Sequence, residues 1–134
     1  MNIAAVMDEL GAVLAGVPTL RVHPWTRRQV NPPEALLALP DIDYDSTYGR
    51  GSDTLELDIT VLVGAASDRA SRDTIARYAD GAGPHSIKQA LDAHAWTTCD
   101  EVTVVRCEFA TVTVAAVDYL GAVFTTRITG AGGA

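Results

Sequence analysis

The chain has 134 residues, 48% hydrophobic and 20% charged, which is the size and composition of one globular domain and not of a disordered chain. Seventeen acidic against ten basic residues give a net charge of −7, which excludes the basic footprint of a general nucleic-acid binder. No apolar run reaches the ~18–20 residues of a membrane-spanning helix. Met1-Asn2-Ile3-Ala4, followed by Asp8 and Glu9, lacks the basic region of a secretory signal.

Ile3, Val6, Met7, Leu10, Val13, Leu14 and Val17 recur every three or four residues, so the chain is expected to open with an amphipathic helix. Asp8 and Glu9 would face water, and Gly16 and Pro18 would end the helix. A short strand is expected over 20–23. Pro24, Pro32 and Pro33 then bound a loop that carries Trp25, Arg27 and Arg28. Residues 35–39 read as a second short strand closed by Pro40, and 41–53 as an exposed loop with Tyr44, Tyr48 and Arg50. Within 41–58 six acids, Asp41, Asp43, Asp45, Asp53, Glu56 and Asp58, face Arg50 alone, so much of the excess charge sits here. From Thr54 to Val63 the pattern alternates strictly. Leu55, Leu57, Ile59, Val61 and Val63 share one face, and Thr54, Glu56, Asp58 and Thr60 share the other, the period of a half-buried strand.

A helix is expected over about 68–80 with Ser67 as its N-cap and Ile75, Tyr78 and Ala79 inward. Gly81 and Gly83 break it, and Pro84 would stand in the first turn of another helix, with Ile87, Ala90, Leu91 and His94 inward. Two strands follow. One, over 102–109, is expected to place Val105, Cys107 and Phe109 on one face; residues 112–115 form a hairpin with 119–129, with Gly121 as a bulge. The whole reads as a single α+β domain over 1–129 with a largely antiparallel sheet flanked by helices, and a flexible tail over 130–134.

The pattern is poor in catalytic chemistry. Asp41-x-Asp43-x-Asp45 matches the first ligands of a calcium loop, but the sixth position is Ser46 and the twelfth is Ser52, where Gly and Glu are required. No histidine spacing fits a metal site, and eight residues between Cys99 and Cys107 is not a zinc spacing. Both cysteines are expected to be free thiols, at least one of them buried. Ser52 and Ser86 are the local nucleophile candidates, and neither sits in a Gly-x-Ser-x-Gly elbow. No catalytic residue, metal or cofactor is assigned. The segment His23-Pro24-Trp25-Thr26-Arg27-Arg28 fits a protein contact, since Trp and Arg dominate interface hot spots, and equally a partly packed loop Trp between solvated arginines.

The order of these features resembles the tail terminator proteins of long, flexible-tailed phages, in particular those of actinobacteria. The likeness is carried by the opening helix, the Trp-bearing proline loop, Leu39-Pro40-x-Ile42-x-Tyr44-Asp45-x-Thr47-Tyr48-Gly49-Arg50-Gly51-x-Asp53, the strand after it, Gly81-x-Gly83-x-x-Ser86-Ile87-Lys88-x-Ala90-Leu91, and Asp118-Tyr119-Leu120-Gly121. The resemblance implies a non-enzymatic virion protein, assembled in the host cytoplasm, that forms a homohexameric ring on the last ring of the tail tube. Such a ring stops tube growth and docks to the head, with the tail tube protein and a head-completion or connector protein as partners and DNA passing through unbound. In that setting Trp25, Arg27, Arg28, Tyr44, Tyr48 and Arg50 are the candidate interface, and Glu56 and Asp58 the candidate acidic lumen face. A head-to-tail connector or other neck protein is the alternative, and a host interaction module without catalysis a second. A small-molecule enzyme or binding domain would instead require a deep pocket around a perturbed titrating group.

Overall fold

The chain places its longest alternating segment at the middle of a sheet and its three helices on one side of it. The structure, a computed structural model, describes residues 2–23, 33–44, 51–114 and 116–131. Among these, the elements run α1 (Ile3–Ala15), β1 (Arg21–His23), β2 (Glu34–Leu37), β3 (Asp41–Asp43), β4 (Ser52–Ala65), α2 (Arg69–Ala79), α3 (Ile87–Ala93), β5 (Glu101–Val114) and β6 (Val117–Ala131). The six strands form one sheet that does not close into a barrel, in the order β1-β2-β4-β6-β5, with β3 beside β4. All pairs are antiparallel except β1 with β2. This is the α+β class expected.

Each helix starts where a side chain satisfies an otherwise orphaned amide. Asn2 caps α1 by accepting from Ala5 N at 3.1 Å. Asp68 caps α2 by accepting from Ala70 N at 3.0 Å, in place of the expected Ser67. Ser86 caps α3: its Oγ accepts from Gln89 N at 3.1 Å and donates to Asp80 O at 2.5 Å. Pro84 therefore precedes α3 and is not in its first turn. The cap side chain decides both starts, because only it reaches back to the first free N–H groups.

The predicted inward residues make one core. Val6, Leu10 and Leu14 of α1, Ile75 and Tyr78 of α2, and Ile87 and Leu91 of α3 meet Leu55, Leu57, Ile59 and Val61 of β4 and Phe124 and Ile128 of β6. Burying each such side chain stabilises the fold by roughly 1.5–3 kcal/mol. Leu62 is also fully buried, but it belongs to the other face of β4. There it lies against Gly121, where an added Cβ would come within 3.0 Å of Leu62 and 3.3 Å of Val112.

Five strand expectations need correction. Residues 41–53 are not all loop, because Asp41–Asp43 pairs with 54–56 as β3 and β4 already begins at Ser52; residues 45–50 lie outside the described residues. β5 is one continuous strand of fourteen residues. Its register slips between Val104 and Arg106, so Val105 drops out of the ladder. Cys107 and Phe109 then pair with the inward Phe124 and Ala122, while Val105 is 49% exposed and leaves the shared face. One extra residue reverses a period-two pattern. The other slip lies in β4, between Leu62 and Gly64, and not at Gly121, which faces it across the ladder. Finally, β6 runs to Ala131, so Gly130 and Ala131 belong to the sheet and not to a tail.

Candidate assembly surface

Strand alternation leaves the side of the sheet opposite the helices polar at the β3 end. Glu56 and Asp58 stand there, exposed, as their spacing predicts. Neighbours in register extend the surface over four strands. Thr103, Arg127, Glu56 and Asp41 form one row, and Arg106, Thr125 and Asp58 the next. Thr125 Oγ1 donates to Asp58 Oδ1 at 3.3 Å, and Arg106 forms an ion pair with Glu108. Asp43 and Glu101 flank these rows. The face thus carries carboxylates from β3, β4 and β5 against two arginines, Arg106 and Arg127. Glu56 lies between a like charge, Asp41, and an opposite one, Arg127, so only one neighbour favours it.

The sheet ends in β5. Its inner side pairs with β6 along its length, and among the described residues no strand pairs its outer side. An edge of this length presents a row of N–H and C=O groups that a second strand can engage. Beside it stand two exposed apolar residues, Val105 and, at 58% exposure, Phe109. Phe109, Leu120, Ile75 and Ala76, with Arg72, line a cleft of about 280 Å³ where α2 meets the sheet. At the opposite margin Tyr44 is 72% exposed and Leu39 84%. Tyr44 is therefore accessible, as an interface residue must be. Trp25, Arg27, Arg28, Tyr48 and Arg50 lie outside the described residues.

A densely hydrogen-bonded carboxylate belongs to Glu9, which sequence alone turned to water. Its two oxygens accept from Thr97 N and Thr98 N and from both threonine hydroxyls, and Oε2 lies 2.8 Å from His94 Nε2. The Thr98 hydroxyl at 2.6 Å and then His94 do most to hold its pKa down at about 2. The group ties α1 to the connection between α3 and β5, and Trp96 Nε1 secures that connection by donating to Leu91 O at 3.1 Å. No short-range motif announces this contact, since the partners are 88 and 89 residues apart.

Ser86 spends its hydroxyl on the α3 cap, and His85 packs edge-on against Tyr78 with ring centres 6.0 Å apart. Among the described residues no three of His, Cys, Asp and Glu converge as a metal site. Cys99 is buried, Cys107 is half-buried, and both are free. Burial raises both thiol pKa values, and at Cys99 the negative charges of Glu9 and Asp100 add to the effect. No protein-family model matches the chain, and no curated protein matches it.

Proposed function

We propose that the chain is a structural subunit of a phage virion that closes the tail tube as a six-fold ring and offers the surface on which the head docks. The observation that carries this reading is the long outer edge of β5, which no described strand pairs, with Val105 and Phe109 exposed beside it, next to an acidic sheet face. A ring requires two different patches per subunit that meet head to tail and close. The β5 edge supplies one of them, and the margin bearing Leu39 and Tyr44 supplies the other. The acidic face, with Glu56 and Asp58 at its centre, lines the channel. DNA carries one charge per ~1.7 Å of its axis, so a carboxylate-rich wall keeps it from adhering during passage.

Electron microscopy of purified particles tests the reading. A ring of six copies at the head end of the tail tube is expected. A ring seated on the head side of the neck would make the chain a connector instead, and its absence from particles would reject both. Phe109→Asp is expected to leave the isolated subunit folded, because the side chain is already more than half exposed, and to abolish the ring. Particles of the Glu56→Gln, Asp58→Asn double variant are expected to assemble normally and to eject DNA more slowly. Unaltered ejection would remove the channel role of these two residues.

A further inference from the structure

From geometry independent of the ring, we infer that the cavity between the turn before β1, the end of α2 and the α2–α3 connection binds a small oxyanion, either a phosphate group or a carboxylate. The cavity has a volume of about 320 Å³ and is lined by Thr19, Pro33, Thr74, Arg77, Tyr78 and His85. That is near the lower end of the ~300–1,000 Å³ typical of small-ligand sites. None of these residues is acidic, in a protein whose net charge is −7. Arg77 and His85 both face the cavity, and among the described residues neither forms an ion pair or a hydrogen bond. The dipole of α2 favours a cation at its C-terminal end. It does not account for a second nitrogen-bearing residue, His85, lining the same hollow, in which no described lining residue is acidic.

The back wall is fixed. Thr19 holds a left-handed backbone at φ 64, costly for a β-branched residue. Its hydroxyl donates to Pro18 O at 2.6 Å and lies 2.9 Å from the buried Tyr78 hydroxyl. The Thr74 hydroxyl donates to Ala70 O at 2.8 Å. The three hydroxyls are thus engaged within the protein, and the guanidinium and imidazole remain as the groups that face a ligand. A guanidinium presents paired N–H groups that match two oxygens of a carboxylate or phosphate.

Titration of the isotope-labelled chain with sodium phosphate, and separately with sodium acetate, at constant ionic strength tests the site by NMR. Saturable shifts confined to Thr19, Arg77, Tyr78 and His85 are expected with at least one anion, and the anion that saturates identifies the ligand class. Arg77→Gln should weaken binding about tenfold, the loss expected for one charge-assisted contact. Arg69→Gln removes the same charge from the far end of α2 and should leave binding unchanged. The inference is overturned by linear, unsaturable shifts with both anions, or by equal losses in the two variants.

Discussion

At the level of single residues, Glu9 sets the most specific expectation. Its folded pKa of about 2 lies below the ordinary 4.5, so the folded state binds the proton more weakly than the unfolded one. The stabilisation it gives is therefore complete above about pH 4.5 and is lost as pH falls towards 2. Glu9→Gln should lower the melting temperature at pH 7 and flatten its decline across that window, as thermal melts at stepped pH would show. Gly64 is a second such point. Its φ is +149, and an added Cβ would lie 2.5 Å from Ser71 Oγ on the buried face of α2. Gly64→Ala is expected to cost about 1–3 kcal/mol, read from the denaturation midpoint. At Ala116, φ 64 in the β5–β6 turn, the reverse applies. Ala116→Gly relieves a left-handed strain and should stabilise by about 0.5–1 kcal/mol in the same measurement.

At the level of elements, what could be read from sequence divides by range. α1 and β4 were legible because each carries its own periodicity: α1 buries its three-and-four spacing and β4 its odd-numbered residues. The acidic face was legible for the same reason, since strict alternation fixes the side on which Glu56 and Asp58 stand. β3 was not, because three residues of Asp-Ile-Asp have no period and become a strand only through the ladder that β4 offers. The slip at Val105 was equally hidden: nothing in Val104-Val105-Arg106 marks the place where β6 stops matching residue for residue. Contacts between distant segments lay beyond local pattern altogether. Glu9 finds Thr97 and Thr98 across most of the chain, and Thr19 reaches Tyr78 59 residues away. Arg77 and His85 look unrelated until the helix ends beside the turn that holds Thr19.

For the whole molecule, the decisive feature is asymmetry. One side of the sheet is sealed by helices, while the β3 end of the other carries charge in the open, and the outer side of β5 is an edge that no described strand pairs. The thiols follow the sealed side: Cys99 should react with a thiol reagent at pH 8 far more slowly in the native protein than after denaturation, with Cys107 intermediate, and rapid native labelling of Cys99 would contradict its burial. The strand order has a further effect on how the molecule comes into being. β6, the latest of the described strands to leave a ribosome, is also the one inserted between β4 and β5, and it joins Ser52 to Ala131. Residues made early must wait for residues made late before the middle of the sheet exists, and such distant pairings are slow to form. Until translation has delivered β6, β4 lacks its main partner, and the nascent polypeptide shows cellular quality control an apolar surface that the finished subunit hides.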